Sequence, residues 1–280
     1  MRSPGPRTPA GRRGLNDTGH IVREGSLDRI GAAFRAAATD ARRQIGDLFR
    51  RRLHSAYLYG SVPRGTAVPG RSDLDVLITL RSDPLDAERS VVRDLAQWLA
   101  DRHPEIDGAG LLLYGAPRIL SPAERYDLGF FVACLCTPLL GDDLAGLLPW
   151  YRPTRELARE TNGDLGPYLA RAAAQLAGPG ADRPRLVRAA ARKVARTGFT
   201  LVMPRWHGWT SDLDLAAEVF GRYYPDRADQ MRQAVILGRQ PRSRAEPGRW
   251  EAGQVLVFHV LGPWLADEYT REIGVKHPRP

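Results

Sequence analysis

Cysteine is nearly absent. The 280-residue chain carries only Cys134 and Cys136, too few for a disulfide framework or a four-ligand zinc site. Both fall in an apolar run and read as buried thiols. Lysine is as scarce: Lys193 and Lys276 are the only two, so the 41 basic residues, set against 32 acidic ones, are nearly all arginine. The net charge of +9 is compatible with a nucleotide, a nucleic acid or a membrane surface as partner. Arginine in place of lysine in an alanine-rich chain also follows from GC-rich coding, so the charge reads as general rather than as a nucleic-acid footprint. Long hydrophobic runs are missing too. The longest, Leu128 to Cys136, has nine residues, against the ~20 that a spanning helix needs. The N-terminus is basic and rich in proline and glycine, with no apolar stretch of the secretory kind. The six histidines show no metal-binding spacing. What is present, 43% hydrophobic and 26% charged residues, suits a soluble globular chain of roughly two domains. The expectation is a soluble, cytoplasmic protein with no membrane partner.

Residues 1 to about 25 read as a flexible basic tail. Helical spacing starts at Ser26, a candidate N-cap, and takes in Ile30, Ala33 and Phe34, then Ile45, Leu48 and Phe49. Ala56 to Tyr59 predicts a strand stopped by Gly60-Ser61. Asp73 to Leu80 predicts a second strand, ended by Asp83-Pro84. Residues 86–102 form an amphipathic helix with Val91, Leu95, Trp98 and Leu99 inward, and Leu111 to Tyr114 a third strand. Leu128 to Leu140 fits a buried helix or a strand. Beyond Gly141-Asp142-Asp143 the pattern turns helical, at about 164–177, 183–203, 211–222, 226–237 and 250–272. The fold class expected is therefore α/β (α+β) with a mixed sheet over 26–148, followed by an all-α bundle over 149–280.

The chemistry concentrates in Leu58 to Leu80. Asp73 and Asp75 are two apart on a predicted strand and so share a face. Two like charges that close need a cation between them, and hard carboxylate oxygens favour Mg²⁺ or Mn²⁺. Gly60 permits a tight turn and close approach of a ligand to the backbone. Ser61 offers a hydroxyl and an exposed N–H to a phosphate. A metal-binding carboxylate pair opposite a Gly-Ser phosphate cradle suits transfer of a nucleotidyl group. Asp212 and Asp214 repeat the Asp-Leu-Asp pattern but follow Thr210-Ser211, and read as helix-capping acids. Trp206 and Trp209 read as packing residues.

The order Tyr59-Gly60-Ser61, eleven intervening residues, then Asp73-Leu74-Asp75-Val76 resembles the signature of the DNA polymerase β nucleotidyltransferase superfamily. Arg64-Gly65 and Ser72 match its common form. The rest of the chain, from Leu139 to Asp143 and from Arg188 to Pro225, is similar more loosely to aminoglycoside nucleotidyltransferases of the streptomycin/spectinomycin type.

The resemblance implies a nucleotidyltransferase domain and a helical domain forming the other wall of the site. It implies a nucleoside triphosphate, ATP above all, as co-substrate. Asp73 and Asp75 would hold Mg²⁺ (or Mn²⁺), and Gly60, Ser61, Arg64 and Ser72 would seat the phosphates. Arg192 and Lys193 would neutralise the triphosphate. A small aminoglycoside-like acceptor hydroxyl is expected ahead of RNA or protein. A third carboxylate usually comes from the next central strand in this superfamily. The strand near 109–114 carries no acid. Glu105, Asp107 and Asp127 are the nearest, and Asp107 is taken as the catalytic candidate. The missing strand acid leaves open a nucleotide-binding module that has lost turnover.

Overall fold

The computed structural model describes residues 13–240 and 247–279. By contacts the chain divides into two compact units.

Val22–Tyr151 form the first unit. Its four-stranded mixed sheet has the order β3-β2-β1-β4, with β1 Leu53–Tyr59, β2 Leu74–Leu80, β3 Ala109–Gly115 and β4 Thr137–Gly141. β1 runs antiparallel to β2 and β4. β2 and β3 are parallel, which requires a crossover. Helix α1 (Arg35–Phe49) buries Ala37, Ala38, Ala41, Ile45 and Phe49 in the core beside the sheet. Helix α2 is the single turn Ser61–Arg64. The crossover is α3 (Asp86–Arg102), whose Val92, Leu95 and Leu99 are buried at helical spacing. Its ends match the expectation. Glu88 accepts from the Leu85 N–H at the start, and His103 precedes Pro104, a poor helix context, at the finish. Val91 and Trp98, expected inward, are only half-buried.

Past β3 come the short turns α4 (Ala116–Ile119) and α5 (Leu128–Phe130), the latter running into a π-helical turn at Phe131–Leu135. The apolar stretch 128–140 is thus helical first and strand afterwards. Pro138 explains the switch: it forces Thr137 into extended backbone and removes a donor, which an edge strand tolerates.

The second unit takes in 152–279 and, ahead of the first unit, 13–21. It is helical: α6 (Arg155–Asn162), α7 (Leu165–Leu176), α8 (Arg183–Trp206), α9 (Leu213–Tyr223), α10 (Ala228–Arg239), α11 (Pro247–Val255) and α12 (Leu261–Glu272). The long α8 is its axis, buried along Val187, Ala190, Ala191, Val194, Ala195, Gly198 and Val202. Small residues allow close approach: a Cβ on Gly198 would meet the Met231 side chain. The Tyr269 hydroxyl, buried, donates to the Ala158 carbonyl at 2.6 Å. Helix α6 has no counterpart in the sequence reading. Its signal was Thr154, whose hydroxyl accepts from the Leu157 N–H.

The flexible tail needs correction. Residues 1–12 lie outside the described residues, but 13–25 hold defined contacts. Leu15 bridges Ile21, and Ile21 is buried. The Trp209 N–H donates to the Arg13 carbonyl, and the Glu24 N–H to that of Cys134. The Asn16 side chain accepts from the N–H of Thr18 and of His20 and closes the turn between Leu15 and Ile21. Averaged composition hides such a turn. Among the described residues no helix is long and apolar enough to cross a membrane.

Candidate active site

β1 is central in the sheet and buried along most of its length. In its pairing with β2, Tyr59 lies opposite Asp75, so the residue after β1 arrives beside the Asp75 carboxylate. That residue is Gly60, with φ 78° and ψ −149°, a conformation open essentially to glycine alone. A Cβ there would also lie 2.5 Å from Asp75 Oδ2. Ser61 then opens α2, which Gly65 ends in the left-handed conformation at φ 76°.

Across β2 the neighbour is β3, where Gly110 pairs with Asp75. A Cβ on Gly110 would lie 2.7 Å from Asp75 Oδ1. The Asp75 carboxylate is therefore fitted between two glycines. Asp73, on the same face as Asp75, immediately precedes β2. Its Oδ1 is buried with no hydrogen-bond partner among the described residues. Leu74 and Val76, on the other face, are fully buried. A buried carboxylate oxygen is costly without a donor or a cation, so this oxygen and the glycine-flanked Asp75 fit a hard divalent ion.

Residues 41–109, which contain Gly60, Ser61, Asp73, Asp75 and Asp107, match the family model described as a nucleotidyltransferase domain. The chain carries a nucleotidyltransferase domain. The polymerase β-like resemblance, and the nucleotidyltransferase class of enzyme with it, thus rest on a matched domain as well as on a motif. Among solved structures, a spectinomycin adenyltransferase from Enterococcus faecialis, crystallised with ATP and spectinomycin, is 14% identical. It matches over 83% of this chain and 98% of its own, with a TM-score of 0.49. No curated protein matches.

Within the nucleotidyltransferase domain Asp107 lies just ahead of β3, half-buried, its N–H donating to the Ser72 carbonyl at 3.0 Å. It does not complete a three-ligand set with Asp73 and Asp75: among the described residues no three His, Cys, Asp or Glu groups are placed to hold a metal ion together. The position facing Asp75 on β3 is Gly110, which offers no carboxylate. Glu105 is bonded to His103 Nδ1 at 3.0 Å, and Asp127 precedes α5. Arg64 forms an ion pair with Glu24 at 3.6 Å. Ser72 Oγ accepts from the Val68 N–H at 2.9 Å and braces the loop before Asp73.

Arg192 and Lys193 lie on α8 in the second unit. Arg192 Nε donates to the Gly238 carbonyl at 2.7 Å. Lys193 Nζ donates to Asp164 Oδ1 at 2.6 Å and Asn162 Oδ1 at 3.2 Å. Burial works to raise the pKa of the Asp164 carboxyl, but the charge and hydrogen bond of Lys193 outweigh it and hold it below the usual range. Asp212 caps α9, accepting from the N–H groups of Asp214 and Leu215. Trp206 and Trp209 are buried edge-on against Phe199. Burial pushes both cysteine thiols up. The residue that reading by sequence missed is Gly110. Its only signal was a glycine inside a predicted strand, a mark of close approach.

Proposed function

We propose that this domain transfers the nucleoside monophosphate of a nucleoside triphosphate, AMP from ATP, to a hydroxyl of a small polar acceptor of the aminoglycoside kind. The observation that carries the reading is Asp75, seated between Gly60 and Gly110 beside an Asp73 oxygen that is buried without a partner. Those two carboxylates would hold Mg²⁺ or Mn²⁺, which supplies charge compensation for the phosphates when bound. Gly60 and Ser61 present backbone to the β- and γ-phosphates. The acceptor oxygen forms a bond to the α-phosphorus, the bond from that phosphorus to the bridging oxygen breaks, and pyrophosphate leaves. Asp107, held beside Ser72, takes the hydroxyl proton. Positioning supplies most of the rate in such transfers.

Two observations support other readings. The net charge of +9 suits RNA better than a cationic small molecule. Gly110 in place of a strand acid suits a nucleotide-binding module without turnover. Incubation with ATP labelled at the α-phosphate and Mg²⁺ against aminoglycosides, RNA and proteins separates these readings. Label on a small molecule supports the proposal, and label on RNA or protein replaces the acceptor. Nucleotide binding with no transfer to any panel selects the module.

A further inference from the structure

His103 is the C-cap of α3 and is almost wholly buried. Both ring nitrogens face carboxylates: Nδ1 lies 3.0 Å from Glu105 Oε1, and Nε2 3.1 Å from Asp40 Oδ2 on α1. Asp40 also accepts from Arg102 Nε at 3.0 Å and from the Arg43 guanidinium at 3.1 Å. Burial works against its charged form, but Arg102 and His103, with Arg43, hold its carboxyl below the usual range. The imidazole thus sits within an ion network that ties α1 and the end of α3 to the 103–108 turn.

That turn is stitched to the segment carrying Asp73. The Ile106 N–H donates to the His103 carbonyl, and the Glu105 carbonyl accepts from the Gly70 N–H at 2.8 Å. The Asp107 N–H donates to Ser72, and the Leu74 N–H to the Gly108 carbonyl at 2.9 Å. Asp73 and Asp107 therefore take their places from a turn whose side-chain anchor is Glu105, and the anchor of Glu105 is His103. We infer that His103 is a positioning residue of the carboxylate site, acting through Glu105 to set Asp73 and Asp107. The inference rests on the reading of Asp73 and Asp75 as metal ligands.

The test uses the full chain and Mn²⁺ as probe, with affinity read by electron paramagnetic resonance and backbone opening by amide exchange. His103→Gln and Glu105→Gln should each weaken Mn²⁺ binding roughly tenfold or more, the cost typical of residues that orient metal ligands. They should also speed exchange at the Gly70 and Asp107 amides. Arg52→Ala is the control for plain destabilisation. It breaks the Arg52–Glu88 ion pair at the other end of α3, and should lower the melting temperature while leaving Mn²⁺ affinity unchanged. Parent-like Mn²⁺ affinity in the Gln variants, or an equal loss in Arg52→Ala, overturns the inference. If His103→Gln does not fold, Glu105→Gln decides alone. Asp75→Asn separates the two layers. If it binds Mn²⁺ like the parent, the metal reading falls and the role of His103 with it. If it loses Mn²⁺ while the Gln variants keep it, only the role of His103 falls.

Discussion

A methyl group on Gly110 would sit 2.7 Å from Oδ1 of Asp75. The two residues pair across parallel strands, and the glycine backbone is not in a conformation that excludes a side chain. Gly110→Ala should therefore fold with a melting temperature near the parent's while displacing the Asp75 carboxylate. A ligand moved by about an ångström can cost on the order of 100-fold in rate. Nucleotidyl transfer at the parent rate in a folded Gly110→Ala protein would remove Asp75 from the reaction.

Gly60→Ala should behave differently. Its backbone angles are closed to alanine as well as its space. Stability should drop by about 1–3 kcal/mol, together with activity, as measured by urea denaturation. A variant as stable as the parent would contradict the turn geometry.

Asp75→Asn keeps the shape between the two glycines and removes the charge. Metal-dependent transfer should vanish, with Mn²⁺ binding lost in parallel. Added metal that restored full turnover at saturating concentration would show that the carboxylate serves affinity alone.

Asp164 and Lys193 predict an acid limb in stability. The folded-state pKa of Asp164 is depressed by Lys193 against the pull of burial, and so lies below the unfolded value of about 3.9. The stabilisation is therefore complete above the unfolded value and disappears as pH falls through the folded one. Thermal melts taken from neutral pH downward should decline more steeply for the parent than for Asp164→Asn. Identical slopes would mean that the ion pair contributes nothing to the fold.

The parts of the site legible in the sequence are local. Gly60 announces its turn, and Asp73 and Asp75 share a face by strand periodicity alone. Helix α3 shows both its ends and, at Leu95 and Leu99, part of its buried face. What was hidden arises between distant segments. Gly110 faces Asp75 only through the β2–β3 register, and His103 meets Asp40 only because α1 packs beside the end of α3. β4 was masked by an apolar run that Pro138 divides, and residues 13–25 by a composition that outweighed the Asn16 turn. Nor does the sequence show that Ser72 braces the loop before Asp73 or that Arg64 pairs with Glu24.

Residues 13–21 cluster with 152–279, whereas Val22–Tyr151 cluster by themselves. Among the described residues, one unit is thus interrupted in sequence by the other. On a ribosome the Leu15–Ile21 turn emerges long before Trp209, whose N–H bonds the Arg13 carbonyl. The carboxylate-bearing unit has all its chain available first and can close while segment 13–21 waits, so the helical unit matures last. Its completion depends on a stretch made before the carboxylate-bearing unit.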